Sequence, residues 1–588
     1  MAWTKALGLI FGHTVYAIAT VLAAFMGGLA LGSAWLGRWG DRHPNPVALY
    51  GWIELLIAVT GGLSLVGIQL VRELYLASFP VVSGSTVLLV GLRFLGAALV
   101  LLIPTFLMGG TLPILVRGVT RGSAELGERL GRLYWVNTAG AVAGTLVAGF
   151  FLLPQFGLRV TVALAVALNI FAGGVALLLR RLTLPSLDRA PAERPATVGD
   201  APRPWLLLAS FGVVGATAMV YEVAWTRLLA TTLLSSTYAF TVMLATFLVG
   251  IVLGSRLFER WVAAGRSVNL ATFAATQSLT GLTALLFLVF FDQLPTWTWA
   301  LLSGNRSFAG LLMAQFIISA LAMLPAALVF GFNFPVVTLL IAQGAEGKER
   351  HATAIGRAVA ANTLGAIVGA TAAGFWLVPR LGSFRLVALT AATNLLLAVL
   401  MEWRNTPRRT LALAGNGMLV VLVGVVGWWN LLYDPAIANF STILYRDRYH
   451  HALTLREVVR TTDLLFAEDG LNASIAVVRG QNYLALRTNG KVDGSNVDAV
   501  TQLTLGHLGM AFHPSPKKVL VVGFGSGMTA SAVALYKGVE RIDCVEIEPA
   551  VIRAAKYLEP LNQGVERDPR VRIILDDARN FMLTTHER

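Results

Sequence analysis

The chain has almost no cysteine. Cys544 stands alone among 588 residues, so no disulfide can form within it, and cysteine pairing gives no clue to compartment. Charge is also scarce, at 13% of residues, with 32 acids against 46 bases. Nowhere do the histidines and acids fall at metal-ligand spacing, so no metal is expected. The net charge of +14 sits mostly in short loops beside apolar spans, where it orients a chain in a bilayer, and nucleic acid is not an expected partner. What remains is hydrophobic: 56% of the residues, a mean hydropathy of +0.69, and recurring runs of about 20 apolar residues, each long enough to cross hydrocarbon. These features read as a multi-pass α-helical membrane protein, with the lipid bilayer as its first partner. The opening apolar stretch, Ala6 to Trp35, is too long for the core of a cleavable signal peptide.

The helical part is duplicated. "AWTKALGLIFGHTVYAIATVLAAFMGGLALGSAWLGRW" from Ala2 returns as "AWTRLLATTLLSSTYAFTVMLATFLVGIVLGSRLFERW" from Ala224, with Trp3, Tyr16, Gly28, Gly32 and Ser33 each 222 residues before Trp225, Tyr238, Gly250, Gly254 and Ser255. Further on, "VNTAGAVAGTLVAGFFLLPQFG" from Val136 matches "ANTLGAIVGATAAGFWLVPRLG" from Ala361, pairing Asn137 with Asn362. A transporter-like internal duplication follows, with a first repeat at 1–180, a linker at 181–204 and a second repeat at 205–403. Spans are expected near 7–37, 46–71, 85–116, 133–153 and 158–179, then near 205–222, 230–257, 268–291, 308–341, 355–378 and 383–402. With a last span at 411–433 this makes about a dozen, and the first repeat reads as lacking its first helix.

Pro104 and Pro325 interrupt long spans, where a missing amide hydrogen kinks a helix or marks a transport site. Glu54, paired by the repeat with Gln277, is either a functional acid at membrane depth or a helix-packing residue. Asn137 and Asn362 read as interhelical hydrogen-bonders beside small-residue steps, and His13, replaced by Ser235 in the second copy, as packing. Arg38, Arg42, Arg117, Arg121, Arg260, Lys348, Arg350, Arg404, Arg408 and Arg409 fall on alternate loops, which should be cytoplasmic. That rule sends everything after 411–433 outside, unless this last segment re-enters.

From Asp434 the composition turns polar. A β-rich subdomain is expected over 434–512, with "NASIAVVRGQNYLALRTNGKVDGSN" giving short strands and turns at Asn-Gly and Asp-Gly. A partial Rossmann-like domain is expected over 515–588, where "KKVLVVGFGSGMTASAVALY" is a strand, a glycine turn and a helix. Gly523, Gly525 and Gly527 follow G-x-G-x-G, which suits S-adenosylmethionine-like nucleosides rather than dinucleotides. Glu546 ends the second strand, where a carboxylate can accept ribose hydroxyls, and Asp577 follows the third, within reach of an adenine amino group.

The series "VEIEPAVI" and "DPRVRIILDDARNF", with the glycine turn, resembles the spermidine synthases (polyamine aminopropyltransferases), specifically their membrane-fused relatives, over about residues 460–588. The resemblance implies decarboxylated S-adenosylmethionine as co-substrate, held by the glycine turn, Glu546 and Asp577, and a diamine or polyamine acceptor; no metal is implied. Ser526 stands where the family usually carries an acid, and Thr501 and Gln502 fall on its Tyr-Gln/His pair, so Gln502 alone remains. The sequence runs to "NFMLTTHER", and the acidic catalytic loop that the family carries is expected beyond Arg588, so catalytic residues are not assigned and no turnover is expected from this chain. Two other readings stay open: a polyamine or small-molecule transporter with a nucleoside-sensing tail, and a methyltransferase using intact S-adenosylmethionine, favoured by Ser526. The expected setting is the cell's inner membrane, with a second copy of the chain a candidate partner.

Overall fold

The computed structural model describes residues 2–12, 14–82, 85–120, 123–180, 204–302, 307–344, 351–403, 409–429, 431–445 and 454–585. His13, the linker at 181–203, Arg121, Lys348, Arg350, Arg404, Arg408 and Arg588 lie outside them. In hydrocarbon every peptide group must find its partner within its own segment, so apolar runs of this length become helices. The first copy contains α1 (Ala2–Phe11), α2 (Val15–Arg42), α3 (Pro46–Val82), α4 (Thr86–Val119), α5 (Ser123–Val147) and α6 (Leu153–Leu179). The second contains α7 (Pro204–Leu233), α8 (Thr237–Ala263), α9 (Leu270–Phe290), α10 (Leu294–Leu301), α11 (Phe308–Gln343), α12 (His351–Ala372), α13 (Val378–Leu381) and α14 (Ser383–Trp403), and α15 (Arg409–Trp428) follows. Among the described residues ten helices are long and apolar enough to span a membrane, fewer than the dozen expected. Ala2–Phe11 and Ala412–Trp428 are shorter, and Glu125–Leu179 counts once although Gly157, at φ +70°, kinks it between the expected spans 133–153 and 158–179.

Internal symmetry is visible residue by residue. Glycines let α2 approach α4, and a Cβ on Gly32 would strike the Phe106 backbone, its carbonyl carbon at 2.6 Å. In the second copy a Cβ on Gly254 would strike Leu328 of α11 in the same way, at 2.9 Å from its carbonyl carbon. The copies also grip each other crosswise. Tyr16 of the first lies on Phe375 of the second, with centroids 4.8 Å apart, and Tyr238 of the second stacks on Phe150 of the first at 5.5 Å. Thus α2 packs on α12 while α8 packs on α5.

One expectation about these helices needs correction. The span near 7–37 is two helices, because Gly12 turns into the left-handed region (φ +85°), and its counterpart Leu234 does the same (φ +75°). The hydroxyls of Thr14 and Ser236 then cap α2 and α8, accepting from the Ala17 and Ala239 amides. Pro104 and Pro325 lie inside α4 and α11 as expected, and so do Pro113 and Pro335, which fall 222 residues apart. The last segment, expected at 411–433, forms α15 beside α14. Along α15, Asn416 donates to Glu402 near the end of α14 (3.0 Å), and a Cβ on Gly427 would press on Ala388 near its start, so the two helices run antiparallel over their length.

The polar tail docks at the end of the bundle opposite the arginine-rich loops. Arg38, Arg42, Arg117 and Arg260 sit at the carboxyl ends of α2, α4 and α8. The tail instead meets the α1–α2 turn, the far end of α3, and the Ser383 amide that begins α14, which donates to Asp469 (2.8 Å).

In the tail, β1 (Asp463–Asp469), β2 (Ser474–Gly480), β3 (Tyr483–Thr488) and β4 (Lys491–Ser495) form an antiparallel meander in sequence order. Asn489 and Gly490 make the expected turn, both with positive φ. Asp493-Gly494 does not turn. It lies inside β4 at a register shift, and the glycine is needed because a Cβ there would come 2.7 Å from the Ser526 Cβ. Next, β5 (Lys518–Val522), β6 (Arg541–Glu546) and β7 (Val571–Leu575) make a parallel sheet in the order β5-β6-β7. The apolar faces of both sheets share one core around Ile475, Leu486, Ile542 and Cys544.

Candidate adenosyl site at the carboxyl edge of the parallel sheet

Parallel strands with helical crossovers leave their carboxyl ends open at one edge, where loops and helix starts gather. Here β5 ends in Gly523, Gly525 and Gly527, with φ of +80°, +54° and +85°. A side chain is strained in that region, and at Gly527 it would also lie 2.7 Å from the Asn562 Cβ.

β6 delivers Glu546, only 6% exposed. Its Oε2 accepts from the Phe524 amide (2.8 Å) and, more weakly, the Gly525 amide (3.4 Å), while Oε1 accepts from the Glu548 amide (2.9 Å). A carboxylate has about four lone-pair sites, so it can tie down the glycine turn and still receive a hydroxyl.

β7 delivers Asp576 and Asp577. The Asp577 Oδ1 caps the following helix, Ala578–Thr584, by accepting from the Arg579 (2.8 Å) and Asn580 (3.3 Å) amides. The Asp576 amide donates to the Glu546 carbonyl (3.1 Å), which brings the two strand ends together. Burial pushes the Asp576 carboxyl above its ordinary range, opposed by hydrogen bonds from Asn580 and the Asp577 amide. Burial also pushes the Cys544 thiol, on β6, up to about 12, so it is no nucleophile.

Ser526 and Gln502 meet. The Ser526 hydroxyl, fully buried, donates to the Gln502 Oε1 (2.6 Å), and the Gln502 Nε2 donates to the Asp493 carbonyl (3.2 Å). Gln502 therefore braces the glycine turn against β4. Sequence reasoning missed Gly494 and Glu548, which complete this frame. The spacing of Glu546 and Glu548 around a strand end was a usable signal for Glu548; for Gly494 there was none. The acidic loop expected beyond Arg588 falls outside the described residues, which reach 585, and no catalytic residue is assigned.

The membrane residues singled out from sequence share no common site. Asn362 donates to the Phe211 carbonyl across α7 and α12 (3.2 Å), whereas Asn137 is exposed on α5. Gln277 accepts from Asn394 (2.9 Å) in a buried network with Thr217, Thr276 and Asn333, and Glu54 is buried beside Tyr50. The Asn362 and Gln277 bonds run between helices, the Glu54–Tyr50 pair lies within α3, and all are in separate places.

Residues 499–588 match the spermine/spermidine synthase domain family. The polyamine aminopropyltransferase of Corynebacterium efficiens is 28% identical over 400 residues, covering 66% of this chain and 68% of that protein. That of Mycobacterium tuberculosis is 26% identical over 390 residues, 64% of this chain and 67% of its own length. A spermidine synthase solved with the transition-state analogue AdoDATO is 26% identical over 19% of this chain and 41% of its own, with a TM-score of 0.19. A bacterial homologue of the iron transporter ferroportin, in an outward-facing state, is 16% identical over 69% of this chain and 95% of its own, with a TM-score of 0.46. The glycine turn and the two strand-end acids lie within the matched segment, so the chain carries a spermine/spermidine synthase domain behind a duplicated set of apolar helices and is similar to polyamine aminopropyltransferases over about two thirds of its length.

Proposed function

We propose that the tail binds an adenosyl sulfonium compound, decarboxylated S-adenosylmethionine by family resemblance, and serves aminopropyl transfer to a diamine or polyamine in a multi-pass protein of the inner membrane. The observation that supports this most is the placing of two buried acids, Glu546 and Asp577, at adjacent strand ends beside a turn of three positive-φ glycines. Such acids suit ribose hydroxyls and an adenine amino group. In the reaction an acceptor amine attacks the methylene next to the sulfonium, a C–N bond forms as the C–S bond breaks, methylthioadenosine leaves, and the new ammonium loses a proton. The protein's part is to hold carbon and nitrogen in line.

Ser526 favours a second reading, a methyltransferase using intact S-adenosylmethionine. Its hydroxyl is spent on Gln502, so the position offers no carboxylate to a donor lacking its own. Calorimetry on the whole chain in detergent separates the two. Tighter binding of decarboxylated S-adenosylmethionine supports the first reading, and a preference of tenfold or more for the intact form supports the second. If neither compound nor methylthioadenosine binds, both fail.

A further inference from the structure

Each of the two acids is held by a different copy of the membrane repeat. On one side stands Arg227, near the end of α7, whose repeat mate is the exposed Lys5. Its guanidinium donates to the Gly470 carbonyl (2.6 Å) and to the Leu471 carbonyl, gripping the tip of the β1–β2 hairpin. The same tip turns its amides the other way: Asn472 (2.6 Å) and Ala473 (3.1 Å) donate to the Glu548 Oε2, and the Asn472 side chain donates to the Ile547 carbonyl (2.6 Å). Glu548 in turn donates its amide to the Glu546 Oε1 (2.9 Å). Gly470 is tight against Glu548, and a Cβ there would fall 2.7 Å from the Glu548 Oε2.

On the other side stands Tyr75 of α3. Its hydroxyl donates to the Asn580 Oδ1 (2.9 Å), Asn580 donates to Asp576 (2.8 Å), and the Asn580 amide donates to Asp577 (3.3 Å). Buried Arg93 of α4 backs the Tyr75 hydroxyl at 3.4 Å. Gly12, at the α1–α2 break, faces Asp577 so closely that a Cβ would lie 2.9 Å from the Asp577 Cβ.

We propose that Arg227 and Tyr75 are positioning residues that set Glu546 and Asp577 from opposite halves of the bundle, so that the relative placement of the halves tunes adenosyl recognition. This rests on the reading of Glu546 as the ribose acid and Asp577 as the base acid. Energy passed this way is reciprocal: a ligand that fixes the acids must also bias the halves.

The test uses the whole chain in detergent, with methylthioadenosine, its 2′-deoxy analogue and its analogue lacking the 6-amino group as probes. Arg227→Met is expected to reduce the preference for ribose over 2′-deoxyribose at least fivefold, with Arg227→Lys intermediate. Tyr75→Phe is expected to reduce the preference for the 6-amino group and to leave ribose preference alone. A merely structural role would lower affinity for all three probes together. Where Arg227→Met does not fold, Gly470→Ala breaks the same link from the soluble side. In a Glu546→Gln background the effect of Arg227→Met on ribose preference should vanish. Unchanged preferences in both Arg227→Met and Gly470→Ala overturn the inference while the adenosyl reading stands. A native chain that binds none of the probes overturns both.

Discussion

The duplication supplies its own control for one stability prediction. Gly365 of α12 and Gly140 of α5 occupy the same place in the two copies of the "NT-x-GA" segment. Gly365 packs on α7, where a Cβ would lie 2.5 Å from the Gly212 carbonyl carbon and 2.8 Å from its Cα; nothing approaches Gly140 within 4 Å. In Gly365→Ala the new methyl meets backbone that cannot rotate away, so α7 and α12 must separate. Overpacking of this kind costs about 3 kcal/mol at the upper end of its usual range. Replacing a helical glycine returns about 1 kcal/mol. The net expectation is destabilisation by about 2 kcal/mol for Gly365→Ala, and stabilisation by about 1 kcal/mol for Gly140→Ala, where only the second effect operates. Equilibrium unfolding of both variants in the same detergent reads the difference directly. Equal destabilisation by the two would refute the reasoning, because it would mean that the α5 face is as tightly covered as that of α12.

Other perturbations reach the tail. Cys544, buried with its thiol pushed up to about 12, should react with iodoacetamide only at the rate of unfolding, measured by mass spectrometry across a denaturant series. The Asp576 carboxyl is raised above 3.8 by burial, so its favourable share of stability is present at low pH and lost as pH rises through the raised value; the stability of Asp576→Asn relative to the native chain should improve as pH rises above 3.8 and then level off in thermal melts. Gly494→Ala should push the Ser526 turn off Gln502 and lower methylthioadenosine affinity at least tenfold in calorimetry, with the bundle's melting unchanged. A compartment reporter fused after Asp434 should be active on the side opposite one fused after Arg42.

Much of this protein is legible because its signals repeat or because backbone chemistry demands particular residues. The 222-residue spacing carries whole helices with it, and Gly28, Gly32 and their mates mark close helix crossings by their spacing alone. In the tail, glycine suits three positive-φ positions at alternate residues, and strand ends are where acids can face a ligand, so Gly523, Gly525, Gly527, Glu546 and Asp577 stand out from pattern. The failures have a different cause. Asp493-Gly494 looks like a turn, yet its glycine answers to Ser526, more than 30 residues away, and no local pattern encodes that. Leu234 adopts a conformation that its residue type argues against, and the capping Ser236 is the local mark of that break. Arg227 resembles any basic residue at a helix end; its role depends on a hairpin more than 240 residues later.

The antiparallel pairing of α14 and α15 fixes the end of the bundle at which the tail stands. Running back along α14, α15 carries the chain from the arginine-rich end of the bundle to the opposite end, where the tail with Glu546 and Asp577 docks. A molecule that reaches Glu546 and Asp577 therefore approaches from the end of the bundle away from Arg42 and Arg117.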